Sequence, residues 1–312
     1  MKTVMVTGAT GFMGMNLVQR LSFEPEKYRL VTVGRKAILG NDISHVNHVV
    51  CDLSETDGLF NRACVVNKPD VIIHLAGNAV PNTGGIAPFG MIQDNVMSTM
   101  NVINSSPNNC RIIFASSVVV YGDWMYSQTV QTPYYEWNKT EPTSIYGLTK
   151  RASESLIENY TNWNRISGCS LRFCATVGKG VTHGIVKDFI AKLKSDTPEL
   201  EAIGDYPGST KPFLHVKDAI SSIMYMMDND LKGNFNVCPN DSISVESVAE
   251  AVMKGCGIKK NVKWLGEEAN WKGDNKVITV SNSKIIDFGW QLKFPSSFQV
   301  IKNVVEEIYN DK

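Results

Sequence analysis

A glycine-rich turn directly after an apolar run constrains this chain more than any other feature. Val4-Met5-Val6 is followed by Thr7-Gly8-Ala9-Thr10-Gly11-Phe12-Met13-Gly14. The pattern predicts a buried strand, a sharp turn at Gly8 and a helix that begins near Phe12, whose free N–H groups can bind a dinucleotide pyrophosphate. Taken alone, such a turn could need its glycines for steric reasons only. The predicted ligand contacts here are Gly8, Thr10, Gly11, Phe12, Met13 and Gly14.

Apolar runs alternate with amphipathic segments over the first half of the chain, which is typical of βαβ units. The predicted strands are Thr3–Val6, Leu30–Val33, His48–Cys51, Val71–Leu75 and Arg111–Ala115. The predicted helices between them are Phe12–Leu21, Thr56–Asn67 and Asn95–Asn104. Strands that are apolar throughout predict an α/β fold with a doubly wound parallel sheet, whose ligands bind at the carboxyl ends of the strands.

The residues after the second predicted strand bear on the choice of cofactor. An acidic residue at this place accepts hydrogen bonds from the ribose hydroxyls of NAD. Here Gly34 is followed by Arg35 and Lys36 instead. Two cations can hold a 2′-phosphate, which favours NADP over NAD by a small margin. The alternative is a basic loop that stacks on the adenine or faces solvent.

The ends of the third and fourth strands carry further candidate contacts. Asp52-Leu53 follows the third strand, where the carboxylate could accept a hydrogen bond from the adenine amino group or cap the next helix. The fourth strand ends in His74-Leu75-Ala76-Gly77. Small residues there would let a cofactor lie against Leu75, Ala76 and Gly77, or would form a tight turn. We interpret His74, inside an apolar run, as a core histidine with satisfied hydrogen bonds.

The residues that most clearly indicate a catalytic site come at and after the end of the fifth strand. Ser116-Ser117 stands at the carboxyl end of that strand, and Tyr146 and Lys150 follow about thirty residues later, before a helix predicted from Lys150 to Trp163. Tyr and Lys four residues apart share one face of a helix. A neighbouring ammonium favours the phenolate form of a tyrosine, which makes a proton-transferring pair suited to hydride chemistry at an alcohol carbon.

Composition excludes several other classes of function. Lys plus Arg and Asp plus Glu both number 31, so the net charge is zero and no basic field suggests nucleic acid. No apolar run approaches the ~20 residues that span a bilayer, and no signal peptide is recognisable. The 7 cysteines lack CxxC spacing, which favours buried free thiols over disulfides or a metal site and predicts a cytoplasmic protein.

Taken together, these motifs resemble the extended short-chain dehydrogenases/reductases, in particular the NAD-dependent epimerase/dehydratase family that acts on sugar nucleotides. The resemblance covers nearly the whole chain. The matching residues are Gly8, Gly11, Gly14, Asp52-Leu53, His74-Leu75-Ala76, Asn95, Ser116-Ser117, Val120-Tyr121-Gly122, Tyr146, Lys150, Leu171-Arg172-Phe173, Phe213–Asp218 and Gly273-Asp274.

This resemblance implies a Rossmann-like domain over residues 1–175, with part of 210–240 returning to it, and a smaller, discontinuous C-terminal domain over 176–312. The second domain would hold a nucleotide sugar. Asn95 and Ser116 would join the cofactor contacts, together with Tyr146 and Lys150. The resemblance also implies a homodimer built through two helices of each subunit.

Two places divide the chemistries within the family. The 4,6-dehydratases resemble one another in having Thr-Asp-Glu where this chain has Ser117, Val118 and Val119. Valine cannot exchange protons, so a dehydratase is disfavoured and a 4-epimerase is favoured. Many relatives carry Asn at the position of Ala175, and arginines that bind the diphosphate at those of Lys211 and Lys272. These three residues and Ser117 are the predicted substrate contacts.

The remaining segments are less informative. Residues 122–145 contain Trp124, Tyr126, Tyr134, Tyr135 and Trp137, which either cover the active site or pack a loop onto its domain. The second half predicts a strand at Phe235–Val237 and helices at Ile185–Leu193, Ile220–Met227, Val245–Met253 and Val300–Tyr309.

The sequence therefore predicts an NAD(P)-dependent 4-epimerase of a nucleotide hexose, which works through a transient 4-keto sugar. Ser117, Tyr146 and Lys150 are its predicted catalytic residues. The alternative is an NADPH-dependent reductase of a 4-keto-6-deoxy sugar nucleotide, which Arg35 would suit. A cofactor-binding regulatory protein without catalysis is disfavoured, because it has no physical need of all three catalytic residues.

Overall fold

The computed structural model describes residues 1–37, 46–122, 133–269 and 273–309. Its strands are β1 (Lys2–Thr7), β2 (Tyr28–Gly34), β3 (Asn47–Val50), β4 (Val71–His74), β5 (Cys110–Ser117), β6 (Ile166–Phe173), β7 (Ala175–Val177), β8 (Glu199–Ala202), β9 (Thr210–Lys211), β10 (Phe213–His215), β11 (Gly233–Val237), β12 (Ile243–Ser244) and β13 (Asn261–Trp264).

The α-helices are α1 (Phe12–Ser22), α2 (Leu59–Asn67), α3 (Thr83–Ile86), α4 (Pro88–Ile92), α5 (Ser98–Ser105), α6 (Ile145–Asn162), α7 (Ile185–Lys194), α8 (Val216–Asn229), α9 (Val245–Cys256), α10 (Ser283–Asp287) and α11 (Ser297–Tyr309). A π-helical turn covers Gln93–Met97, and 3-10 turns cover Val118–Tyr121 and Glu267–Ala269.

A seven-stranded parallel sheet in the order β11-β6-β5-β4-β1-β2-β3 confirms the predicted doubly wound fold. The chain moves outwards from β1 in both directions, so the switch point lies between β1 and β4. Strand register places Thr7, Val33, His74 and Phe114 in one row at the carboxyl edge. The residues that follow these four positions are therefore neighbours.

Contacts divide the chain into two compact units. The first comprises Met1–Val120, Ser144–Arg172 and Ile220–Phe235, and the second comprises Tyr121–Thr143, Phe173–Ala219 and Asn236–Lys312. The units differ from the predicted domains chiefly in that residues 121–143 belong to the second one. The first unit buries apolar residues of the sheet against α2, α5 and α6, among them Met5, Ile72 and Phe114.

The second unit has its own core, formed by α7, α9 and α11 and including Phe189, Val248 and Val304. Three two-stranded sheets accompany these helices: β7 with β10, β8 with β13, and β9 with β12. The predicted helices of this half are present with slightly longer bounds, since the apolar pattern marks buried positions and not the polar turns at each end.

Two features of the first unit differ from the prediction. Helix α6 begins at Ile145 rather than Lys150, because the Ser144 hydroxyl caps it by accepting a hydrogen bond from Gly147 N at 3.1 Å. The predicted helix Asn95–Asn104 is a π-helical turn followed by α5. The earlier start of α6 brings Tyr146 into helical geometry that the apolar pattern did not indicate.

Other expectations concern the chain as a whole. All seven cysteines are buried and free, which confirms the prediction of buried thiols. Across the four described ranges, no group of acidic, His and Cys side chains could hold a metal ion. Within those same ranges no helix has the length and apolar character needed to cross a bilayer.

Candidate active site

A cleft of about 320 Å³ opens at the carboxyl edge of the sheet, within the first unit. It contains ten of the predicted cofactor contacts: Gly8, Thr10, Gly11, Arg35, Lys36, Asp52, Leu53, Leu75, Ala76 and Gly77. It is also lined by six residues that sequence reasoning missed: Val33, Gly34, Cys51, Ser54, Asp94 and Ser98. The other predicted contacts (Phe12, Met13, Gly14, Asn95, Ser116, Tyr146 and Lys150) are not part of this lining.

The glycine turn has both steric and binding features. Gly8 has φ +68°, and a Cβ there would lie 2.6 Å from the Ala76 backbone nitrogen. A Cβ on Gly14 would lie 2.2 Å from the Gly8 carbonyl oxygen. Glycine is therefore required at both positions by the close packing of the backbone, whether or not a ligand binds. The binding feature is the start of α1 at Phe12, because the preceding residue, Gly11, has no side chain that could cap the first N–H groups. An uncapped helix start facing a glycine cradle fits a pyrophosphate.

We predict that Gly14→Ala destabilises the turn and weakens cofactor binding at least tenfold, because the new methyl group meets backbone atoms that cannot move aside. Gly90→Ala is the matched control, since Gly90 is also helical and a Cβ there meets nothing within 4 Å. We expect Gly90→Ala to be neutral or slightly stabilising. Thermal unfolding and titration with NADH measure both effects, and equal behaviour of the two variants would contradict the prediction.

Arg35 occupies the end of the cleft beside β2. Its Nη1 lies 3.5 Å from Asp94 Oδ1 and 4.0 Å from Asp52 Oδ2. The backbone around it is held by two hydrogen bonds, from Cys51 N to Gly34 O at 3.0 Å and between His48 Nε2 and Lys36 O at 2.9 Å. The backbone is thus fixed on both sides of Arg35. The Arg35 side chain itself is 63% exposed and lies between the carboxylates of Asp94 and Asp52.

Asp52 forms a local turn as well as facing Arg35. Its Oδ1 accepts hydrogen bonds from the backbone N and the hydroxyl of Ser54, at 2.9 and 2.8 Å. Burial acts to raise the pKa of Asp52, but the bonds from Ser54 and the charge of Arg35 outweigh it and lower that pKa. Asp52 is thus a carboxylate at neutral pH, with Oδ2 directed towards Arg35.

Ser117, Tyr146 and Lys150 come together at the end of β5 and the start of α6. Each is less than a tenth exposed. Tyr146 shares a hydrogen bond with Ser117. Lys150 Nζ donates to Ala115 O at 2.8 Å and lies 5.8 Å from the centroid of the Tyr146 ring. A hydroxyl, a phenol and an ammonium therefore share one buried site.

The protonation of this group differs from the expectation that Lys150 favours the Tyr146 phenolate. Burial raises the pKa of Tyr146 to about 12, and the hydrogen bond with Ser117 opposes this rise. Burial lowers the pKa of Lys150 to about 8, and the charge of Glu154 opposes this fall. Desolvation exceeds the pairwise effects because both side chains are buried.

Glu154 is a buried acid one helical turn after Lys150, which sequence reasoning did not single out. Arg172 donates to both of its oxygens, from Nε to Oε1 and from Nη2 to Oε2, each at 2.9 Å. The Ser116 hydroxyl donates to Oε1 at 2.6 Å. Ser116, a predicted cofactor contact, thus has its hydroxyl engaged by Glu154. The i, i+4 spacing from Lys150 was the signal that could have identified Glu154.

Asn95, another predicted cofactor contact, connects elements of the first unit. Its Oδ1 accepts from Asn78 N at 2.6 Å, and its Nδ2 donates to the Thr149 hydroxyl at 2.9 Å. A Cβ on Gly77 would lie 2.7 Å from Asn95 Oδ1. Asn95 therefore holds the segment after β4 against α6, close to the cleft.

His74 confirms its interpretation as a satisfied core histidine. The ring is fully buried, with Nδ1 2.8 Å from the Thr7 hydroxyl and Nε2 3.1 Å from the Thr99 hydroxyl. Burial, with a smaller effect from the charge of Lys150, lowers the pKa of His74 to about 3. His74 is neutral and joins the end of β1 to α5.

The predicted substrate contacts of the second unit have different surroundings. Ala175 is exposed and pairs with Phe213 across β7 and β10. Lys211, in β9, forms an ion pair with Asp274. Lys272 lies outside the described residues. The Lys211–Asp274 pair joins segments 63 residues apart, so no local pattern indicated it.

The aromatic residues between 122 and 145 divide between the two interpretations. Tyr134 is buried and packs on Tyr121 with ring centroids 5.4 Å apart, so it serves packing. Tyr135 stacks on Trp137 at 4.5 Å, and Trp137 is 72% exposed. Trp124 and Tyr126 lie outside the described residues.

Comparison with known proteins adds relatives by sequence and by fold. UDP-glucuronic acid decarboxylase 6 of Arabidopsis thaliana is 27% identical over 259 residues, covering 80% of this chain and 73% of the relative. UDP-glucuronic acid decarboxylase 1 of Danio rerio is 21% identical over 301 residues, covering 94% and 70%. A UDP-galactose 4-epimerase structure is 25% identical with a TM-score of 0.80, covering 98% of each chain.

The UDP-glucose 4-epimerase of Thermus thermophilus, solved with NAD, shares the fold with a TM-score of 0.85 at 20% identity, covering 99% of this chain and 100% of that one. A model of the NAD dependent epimerase/dehydratase family matches residues 4–238. This match confirms the family that the motifs predicted and supports a nicotinamide cofactor. The chain belongs to the NAD dependent epimerase/dehydratase family.

Proposed function

We propose that this protein is a sugar-nucleotide 4-epimerase. The observation that carries the proposal is the buried group of Ser117, Tyr146 and Lys150 beside two valines. Val118 is 2% exposed and Val119 is partly buried. The site thus offers a proton-transferring phenol next to side chains that exchange no protons. This combination suits oxidation and re-reduction at one carbon and does not suit the proton transfers of a dehydratase.

The residues that would bind the cofactor are those of the glycine turn, those that line the cleft after it, and Lys150. When bound there, a nicotinamide would supply the acceptor and donor of a hydride for oxidation and re-reduction at C4 of the sugar. Because burial raises the pKa of Tyr146 to about 12, Tyr146 first has to lose its own proton; its phenolate then takes the proton of the C4 hydroxyl and gives it back. Ser117 orients that hydroxyl and hydrogen-bonds to Tyr146. Lys150 supplies a positive charge near the phenol and a donor for the cofactor ribose.

In the second unit, Ala175, Lys211 and Lys272 remain the proposed contacts to the nucleotide sugar. A lysine keeps the positive charge that a diphosphate needs but lacks the two-pronged geometry of arginine. Lys211 must exchange Asp274 for phosphate when it binds. We therefore expect the diphosphate to be held by charge more than by geometry.

A substrate panel tests the proposal directly. The purified protein is incubated with UDP-glucose, UDP-galactose, UDP-N-acetylglucosamine and UDP-glucuronic acid, and products are identified by NMR. We expect interconversion at C4 without stoichiometric consumption of cofactor. The relatives by sequence are named as UDP-glucuronic acid decarboxylases. If the protein released carbon dioxide from UDP-glucuronic acid, the proposed activity would be decarboxylation and not epimerisation.

The second candidate is an NADPH-dependent reductase of a 4-keto-6-deoxy sugar nucleotide, favoured by Arg35 and Lys36 in the cleft. A reductase consumes one NADPH for each sugar, whereas an epimerase needs none added. Absorbance of the reduced nicotinamide during turnover separates the two. Tight binding of NADP without turnover of any sugar would favour the regulatory alternative.

We further propose that NADP is preferred over NAD. The ion pairs of Arg35 are exposed, and such pairs are worth at most ~1 kcal/mol. A phosphate dianion can form two parallel hydrogen bonds with a guanidinium, which are stronger. Arg35 can therefore exchange a carboxylate for the 2′-phosphate. Dissociation constants of NADPH and NADH test this preference.

The predicted homodimer also remains a proposal, supported by exposed apolar side chains on the first unit. They come from α3, α4, the π-helical turn and α6: Ile86, Phe89, Ile92, Met97 and Leu148. Large apolar groups gathered on neighbouring helices are typical of subunit interfaces.

We predict that Phe89→Asp converts a dimer into a monomer, because a charge replaces a ring that is 72% exposed in the single chain. Phe23→Asp is the control, since Phe23 is similarly exposed at the end of α1. Size-exclusion chromatography with light scattering measures both. A wild-type protein that is monomeric at micromolar concentration would contradict the dimer.

A further inference from the structure

Asp94 is a carboxylate in the cofactor cleft for which the proposed reaction has no use. It stands in the π-helical turn before α5, and its side chain is 25% exposed and lines the cleft. Its Oδ1 lies 3.5 Å from Arg35 Nη1, although the two residues are 59 positions apart in the chain. The pair therefore joins the end of β2 to the segment after α4.

The charges around Arg35 are balanced. Arg35 and Lys36 contribute two positive charges to this end of the cleft, and Asp52 and Asp94 contribute two negative ones. Asp52 is 4.0 Å from Arg35 and is also held by Ser54, whereas Asp94 is nearer. Of the two acids, Asp94 thus restrains the guanidinium more closely.

A 2′-phosphate and a 2′-hydroxyl meet this arrangement differently. The phosphate carries nearly two negative charges and binds Arg35 as an ion pair, so it has to displace Asp94 from the guanidinium. The hydroxyl is neutral and does not have to displace Asp94. Asp94 therefore weakens the binding of NADP and leaves the binding of NAD almost unchanged.

We propose that Asp94 is a positioning residue that sets the ratio of NADP to NAD affinity by holding Arg35. This inference rests on the proposed nicotinamide cofactor and is independent of the sugar. Asp94 limits the preference for NADP, and Arg35 creates it. A loop with Arg35 alone would discriminate strongly, whereas the pair gives a cleft that accepts both cofactors.

The test is the binding of NADPH and NADH, followed by nicotinamide fluorescence, to the full chain and to Asp94→Asn. We expect the variant to bind NADPH roughly three- to fivefold more tightly relative to NADH, because Arg35 no longer has to leave an exposed ion pair worth at most ~1 kcal/mol. Asp287→Asn, which removes an exposed acid of the second unit, makes the same change in net charge and should leave the ratio unchanged.

A double-mutant cycle separates action through Arg35 from a structural role. In the Arg35→Ala background, we expect Asp94→Asn to change the ratio by less than about twofold. An unchanged ratio in Asp94→Asn alone, or an equal loss of affinity for both cofactors, would overturn the assignment of Asp94 and leave the epimerase proposal standing. A wild-type chain that binds neither cofactor would overturn both, while absence of sugar turnover affects only the epimerase proposal.

Discussion

Tyr146→Phe is expected to reduce turnover of the nucleotide sugar by a factor of roughly 10² to 10⁴, the range typical of a lost general acid–base group. The change removes one hydroxyl and keeps the ring, so packing of the buried side chain is retained. Binding of NADH should stay within about twofold of wild type, because the cleft contacts lie elsewhere. Product formation by NMR and cofactor titration measure the two quantities.

Tyr160→Phe is the matched control for Tyr146→Phe. Tyr160 lies on the same helix, α6, and packs on Trp163 with ring centroids 5.1 Å apart. We expect it to retain activity. Full activity of Tyr146→Phe would refute the proposed role of the phenol, and a parallel loss in both variants would point to a disturbed helix instead.

Glu154→Gln is expected to lower the free energy of unfolding by about 3–5 kcal/mol, the usual cost of leaving one partner of a buried ion pair uncompensated. Arg172 and Glu154 are 2% and 0% exposed, so water cannot replace the lost carboxylate. The double change Glu154→Leu with Arg172→Met removes both charges and should recover most of the loss. Urea unfolding measures each variant.

The exposed pair Arg20–Glu24 provides the control for the buried pair. Its side chains are 44% and 27% exposed, so Arg20→Gln should cost less than about 1 kcal/mol. If Glu154→Gln were no more destabilising than Arg20→Gln, the buried pair would not have the importance assigned to it.

The same Glu154 variants should change the pH dependence of turnover. The charge of Glu154 holds up the pKa of Lys150, which burial lowers to about 8. Without the carboxylate that pKa falls further, so the ammonium is lost at a lower pH. The alkaline limb of the pH–rate profile should therefore move to lower pH in any Glu154 variant that remains folded.

The sequence predicted those parts of the fold whose residues are apolar without interruption. The five strands β1 to β5 and the helix after the glycine turn were indicated in this way. Strand β6 was missed because Ser167, Gly168 and Ser170 interrupt its pattern. Gly168 is required there by contact, since a Cβ would lie 2.4 Å from Ile157 Cγ2. A short window of sequence does not indicate which small or polar residues of a strand are buried by another element.

The candidate site shows the same limit. Ser117, Tyr146 and Lys150 were identified because their spacing and residue types imply chemistry. Asp94 was not identified, because its proposed role depends on its contact with Arg35, which is 59 positions away in the chain. Pairings of this kind depend on tertiary structure, and neither residue type nor local periodicity indicates them.

The Thr7–His74–Thr99 connection has a consequence for how the protein responds to acid. Because the pKa of His74 is about 3, its imidazole stays uncharged in mildly acidic and neutral solution. His74 therefore adds no change of charge beside Lys150 near neutral pH, and a change in rate with pH in that range does not come from this histidine.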